Sequence, residues 1–137
     1  MSVFVDTSVW YAAADLGDRS NARAKSALER SDGLVTSDHI LVETTLLLRH
    51  RLGRDAAVRF WEALRAGVAR LEAVTAADLE VAWKIAAEFD DQDFSVTDCS
   101  SFAVMHRLGI TRAAALDRDF AVYRFGPQRR RAFDIVV

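Results

Sequence analysis

Short apolar runs alternate along this chain with longer stretches in which apolar residues recur at helical spacing. Val3-Phe4-Val5 stops abruptly at Asp6 and reads as a buried strand. Leu34-Val35-Thr36 follows the turn signal Asp32-Gly33 and reads as a second strand, and residues 71–74, 113–116 and 133–137 supply three more. Helical patterns cover about 19–31, 38–52, 55–67, 76–89 and 97–108. End signals agree with these spans. Ser37 or Asp38, Thr75, and Ser95 or Thr97 stand where a helix needs an N-cap. Gly53 and Gly109 follow helical patterns where a left-handed residue ends the helix. Strands alternating with helices predict an α/β fold, a three-layer α/β/α sandwich around a central, mainly parallel, five-stranded sheet.

Length and charge narrow the picture. A chain of 137 residues without internal repeat, linker or low-complexity stretch is expected to form a single domain over 1–137. Its one cysteine, Cys99, excludes an intrachain disulfide and suits a reducing compartment. The N-terminus has no basic region, and no apolar run approaches the length of a membrane span, so a cytoplasmic protein is expected, with no membrane contact. A net charge of −2 provides no global basic field. The distribution is more informative: Arg49, His50, Arg51 and Arg54 cluster, Arg129, Arg130 and Arg131 form a late run, and acids concentrate at Asp90, Asp91, Asp93 and Asp98. Local basic rims beside an acidic centre suit an enzyme acting on nucleic acid, and equally suit a solvated surface.

In open parallel sheets, ligands bind beyond the carboxyl ends of the strands, which directs attention to the acids there. Asp6 closes the first strand and can also cap a helix starting near Ser8. Asp117 directly follows the fourth strand; Asp119 lies two residues on, in a short helical turn where capping is an alternative role. Asp98 ends Ser95-Val96-Thr97-Asp98, a capping-box pattern, and shares an inward helix face with Phe102 and Met105. Glu43 sits in Ile40-Leu41-Val42-Glu43-Thr44-Thr45-Leu46-Leu47-Leu48, apolar around most of its circumference. A glutamate there is expected to meet a cation, a donor or an arginine, because desolvating it alone is unfavourable. Carboxylates gathered in one cleft repel each other, so some hold protons or a cation sits between them. Oxygen-only donors favour magnesium or manganese over zinc, and His39, His50 and His106 have no spacing that pairs them with a cysteine.

These blocks, taken in order, resemble a known family. Val3-Phe4-Val5-Asp6-Thr7-Ser8, the mid-helix Glu43, Ser95 to Ala103 and Ala115-Leu116-Asp117-Arg118-Asp119-Phe120 are similar to the signature blocks of PIN-domain proteins, above all the VapC-type toxins of bacterial toxin–antitoxin pairs. The resemblance runs from Val3 to Val137. It implies a Mg²⁺-dependent (or Mn²⁺-dependent) endoribonuclease with Asp6, Glu43, Asp98 and Asp117 as the catalytic acids. Asp6, Asp98 and Asp117 would hold the metal, and Asp119 is the alternate to Asp117. Hydroxyls supporting the acids map to Thr7 or Ser8 and to Thr97. The resemblance also implies an RNA substrate, a cognate VapB-type antitoxin and a homodimer. Leu41, Leu46 and Leu48 with Phe60, Trp61 and Leu64 are candidates for an antitoxin groove or a dimer face, with core packing as the other reading.

Two further readings remain open on the residues alone. A metal-dependent phosphatase also begins with a strand ending in aspartate, but needs a second aspartate two positions on, where Ser8 stands, and a lysine partner; the chain's lysines are Lys25 and Lys84. A non-catalytic α/β interaction domain would carry the same fold with structural acids.

Overall fold

The protein is described by a computed structural model covering residues 1–137. Its centre is a five-stranded sheet of β1 (Val3–Val5), β2 (Leu34–Ser37), β3 (Arg70–Glu72), β4 (Arg112–Ala114) and β5 (Asp134–Ile135), in the order β3-β2-β1-β4-β5. Every pairing is parallel, with Val3 opposite Leu34 and Arg112, and Val5 opposite Ala114. The central strand must be apolar on both faces, and Val3, Phe4 and Val5 are fully buried.

From β1 the chain moves outward through α1 (Thr7–Ala14) and α2 (Asn21–Arg30) to β2, then through α3 (Asp38–Leu52) and α4 (Arg54–Arg65) to β3. It returns through α5 (Ala76–Glu88) and α6 (Val96–Leu108) to β4 on the other side of β1, and α7 (Asp119–Val122) leads towards β5. Because parallel crossovers are right-handed, the outward and return connections cover opposite faces. Packing mostly follows that division, since α1 meets α2 and α3, α3 meets α4, α5 meets α6, and α6 meets α7, while α3 and α6 touch across it. The reversal of direction falls between β1 and β4, so a crevice opens beyond their carboxyl ends.

The expected helices and strands are present, with ends displaced by a few residues. Ser37 accepts from the Ile40 amide, and Thr75 and Ser95 form full capping boxes with Asp78 and Asp98. Gly109 ends α6 in the expected left-handed conformation (φ 68°, ψ 25°), whereas Gly53 ends α3 with φ 96° and ψ 173°, a positive-φ conformation outside the left-handed helical region. The strands at 71–74, 113–116 and 133–137 are shorter or shifted, to Arg70–Glu72, Arg112–Ala114 and Asp134–Ile135. One whole helix, α1, was missing from the periodicity reading. Its Thr-Ser-Val-Trp-Tyr start is poor in helix formers, and packing holds it instead. Trp10 lies 5.5 Å from Phe60 between ring centroids and donates its Nε1–H to Thr36 Oγ1.

The other face is aromatic. Phe102 stacks on Tyr123 at 4.2 Å and meets Phe120 edge-on at 5.0 Å, while Phe120 stacks on Phe4. These contacts anchor α6 and α7, the helices that start at the crevice. At its far end α6 is held by Arg107, whose guanidinium donates to both carboxylate oxygens of buried Asp78 and to the Ala73 carbonyl. No helix is long and apolar enough to cross a membrane.

Candidate metal centre

Asp6 leaves β1 with extended backbone and caps α1. Its Oδ2 accepts from the Ser8 amide at 3.2 Å and from Ser8 Oγ at 2.7 Å. Ser8 Oγ in turn accepts from the Leu116 amide at 2.9 Å, so one hydroxyl ties the acid after β1 to the segment after β4. Thr7 is buried and accepts from Thr44 Oγ1 at 3.1 Å, joining α1 to α3 beside Glu43. On α6, Asp98 accepts from the Ser95 amide at 3.0 Å through Oδ2, while its own amide donates to Ser95 Oγ. After β4, the Asp119 amide donates to Asp117 Oδ1 at 3.1 Å, a turn that aims both side chains the same way.

These residues converge on an open cavity of about 690 Å³, lined by Asp6, Thr7, Ser8, Glu43, Asp98, Asp117 and Asp119 among others. The four acids expected from the sequence are therefore brought together. The closest set is Asp98, Asp117 and Asp119, each offering an oxygen within 4.8 Å of the others. Asp119 thus stands beside Asp117 in this set. Thr97, expected to support the acids, is absent from the cavity wall, and its carbonyl instead accepts from Ser100 and Ser101. The donor to the Asp98 carboxylate is the Ser95 backbone amide.

Helix α3 packs on α1, α4 and α6, as its apolar pattern implies, while Val42 and Leu46 are 56% and 64% exposed and Glu43 is half-buried where it faces the cavity. Leu48, Phe60 and Leu64 belong to the core, which leaves Leu46 and Trp61 as the exposed members of the proposed contact face. Three cavity residues had not been singled out: Asp93, from a run noted only for its charge; Leu47; and His50. The signal for His50 was its spacing, seven residues beyond Glu43 on one helix.

Electrostatically the site is strained. Burial pushes the Asp6 carboxyl from 3.8 up to about 6, against the Ser8 hydrogen bonds, with the charges of Glu43 and Asp117 adding to the rise. Asp98 is also raised, first by burial and then by its facing neighbour Asp119, and burial raises Asp119 as well. None of the cavity acids is in an ion pair; the arginines that do form ion pairs serve Glu72, Asp78, Asp134 and Glu88. Crowded oxygens without an ion-pair partner form a donor set suited to a hard divalent cation.

Comparison with known proteins gives the same direction. Residues 3–126 match the PIN domain family. The chain is 40% identical over 124 residues to the 23S rRNA-specific endonuclease VapC20 of Mycobacterium tuberculosis, covering 90% of this chain and 95% of that protein. It is 27% identical over 117 residues to the ribonuclease VapC26 of the same organism, covering 85% and 87%. The crystal structure of VapC20, described as a sarcin–ricin loop cleaving toxin, superimposes with a TM-score of 0.82 over 87% of this chain and 92% of that one.

Proposed function

The chain belongs to the PIN-domain family and is a VapC-type ribonuclease, and we propose that it cuts a structured loop of 23S ribosomal RNA with Mg²⁺, or Mn²⁺ in its place. The whole of residues 1–137 acts as one domain in this reading, in the cytoplasm, where the single thiol of Cys99 stays reduced. The observation that carries the proposal is the convergence of Asp6, Glu43, Asp98, Asp117 and Asp119 on one cavity at the reversal point of the sheet.

Asp98, Asp117 and Asp119 would hold the ion, with Asp6 on its β1 side. When bound, the ion supplies positive charge that offsets charge gathering on the phosphate and eases proton loss from a nearby water. Glu43 orients that water and takes its proton. Attack in line forms a new P–O bond and breaks the bond to the 3′ oxygen, which takes up a proton, leaving a 5′-phosphate and a 3′-hydroxyl. Ser8 keeps Asp6 ionisable by donating to it and holds β1 and the post-β4 turn at a fixed spacing. No histidine pair is required, because the 2′-hydroxyl is not the nucleophile. The phosphatase and non-catalytic readings account less well for five uncompensated acids.

The partners we propose are a VapB-type antitoxin and a second copy of this chain. Two exposed apolar patches support them: Leu46 with Trp61 on α3 and α4, and Trp83 with Val96 on α5 and α6. The test of the proposed function offers the purified toxin intact ribosomes, free tRNA and messenger RNA with Mg²⁺. The expected result is a single cut in 23S rRNA, abolished by chelator and by Asp6→Asn or Asp98→Asn. Cleavage that persists in chelator or in both variants contradicts the mechanism, and cleavage confined to tRNA or messenger contradicts the substrate.

A further inference from the structure

Six carboxylates line the cavity, from Asp6, Glu43, Asp93, Asp98, Asp117 and Asp119, and one side chain there can carry positive charge: His50. RNA is a polyanion, and proteins seat its strand through contacts to phosphates on either side of the reacting one. A bound ion offsets charge at the reacting phosphate. A flanking phosphate needs its own donor, or it meets only acids.

The neighbouring arginines, Arg49, Arg51 and Arg118, lie outside the cavity wall, although the Arg118 charge bears on Asp119. The Arg51 guanidinium lies over the Tyr11 ring at 5.2 Å from its centroid. Arg49 lines the separate groove with Thr45, Arg54 and Trp61. Arg118, between Asp117 and Asp119 in sequence, is exposed and outside the cavity wall. His50 differs because of helical geometry. Seven residues from Glu43 is about 20° short of two full turns, so both share one face, about 10 Å apart along the axis. That separation puts His50 at the mouth of the cavity. It also stands in the last turn of α3, where the helix dipole favours positive charge and donors.

We infer that His50 is a substrate-contacting residue, donating a hydrogen bond to the RNA phosphate flanking the cleavage site and so setting how tightly the strand is held. This rests on the ribonuclease reading. The residue takes no part in holding the metal and none in breaking the bond.

The experiment compares the full-length wild type, His50→Ala and His50→Lys on an oligonucleotide spanning the ribosomal loop, with Mg²⁺. It measures kcat and KM, then RNA binding in an Asp98→Asn background that does not cut. His50→Ala is expected to raise KM about 5–10-fold and to weaken RNA binding by a similar factor, with the change in kcat under about twofold. His50→Lys is expected to restore KM and binding, a rescue that a merely structural histidine would not show. Affinity for Mn²⁺ alone is expected to be the same in wild type and His50→Ala. If the wild type cuts while KM and RNA binding are indifferent to His50, the inference is overturned and the ribonuclease reading stands. A fall in kcat of about a hundredfold with KM unmoved, or a loss of Mn²⁺ affinity, also overturns it. A wild type that cuts no RNA removes the premise.

Discussion

Replacing Asp6 with asparagine should make the metal-free protein more stable while destroying its function. Asp6 is 4% exposed, and burial lifts its carboxyl from 3.8 to about 6. The folded value lies above the unfolded one. The neutral form therefore contributes stability that is fully present below about pH 4 and lost as pH rises through about 6. About two units at about 1.4 kcal/mol each give a penalty of about 3 kcal/mol for the ionised wild type at about pH 8. Asparagine keeps the shape and an acceptor oxygen for Ser8, and the raised carboxyl already carries the opposing effect of the Ser8 hydrogen bonds. The gain is therefore about 3 kcal/mol, or about 10 °C in Tm for a domain of this size. Thermal unfolding in chelator should show that gain at about pH 8 and roughly half of it at about pH 5. Added Mg²⁺ should stabilise the wild type and leave Asp6→Asn almost unmoved. An Asp6→Asn protein no more stable than wild type at about pH 8, or a gain indifferent to pH, would refute the reasoning.

Other consequences follow from the same contacts. Ser8→Ala removes the donor to Asp6 and the acceptor for Leu116; it should lower stability by about 1–2 kcal/mol and single-turnover cleavage by roughly tenfold or more, read by unfolding and by rate. Arg107→Met strands the carboxylate of Asp78, which is 3% exposed. Because the Arg107 side chain is itself 36% exposed, solvent screens part of the pair, and the expected loss is about 2 kcal/mol, seen as a lower Tm with Mn²⁺ affinity intact. Since Asp6 and Asp98 are raised by burial, a bound ion must displace their protons. Affinity for Mn²⁺ should therefore rise roughly tenfold or more between about pH 6 and pH 8, with proton release visible in calorimetry across buffers; a flat profile would contradict the site.

Much of the fold was legible because two periods alternate cleanly. Val3-Phe4-Val5 cannot be amphipathic at either period, which marks a central parallel strand, and the capping residues Ser37, Thr75 and Ser95 end each loop visibly. Helix α1 was not legible from propensity, since Val9, Trp10 and Tyr11 are helical through what they pack against. Glu43 drew attention as an acid inside an apolar helix, yet Val42 and Leu46 turn outward and Glu43 faces an open cavity. Asp119 ranked below Asp117 because a short helical turn there offered it a capping role instead. The turn that joins them makes both available, and only the tertiary fold brings Asp98 opposite. Ser95 replaces Thr97 beside Asp98 because a capping box bonds the N-cap backbone amide to the N3 carboxylate and the N-cap hydroxyl to the N3 amide.

The most direct measurement is Mn²⁺ binding, by calorimetry with a parallel paramagnetic-resonance titration, to wild type and to Asp98→Asn, Asp119→Asn and Asp91→Asn. Asp91 is an exposed acid outside the cavity and serves as the control. The account predicts saturable binding to wild type and Asp91→Asn, weakened at least about tenfold in both cavity variants. Equal affinity in all four proteins, or no saturable binding in the wild type, would contradict a carboxylate metal centre between α6 and the turn after β4.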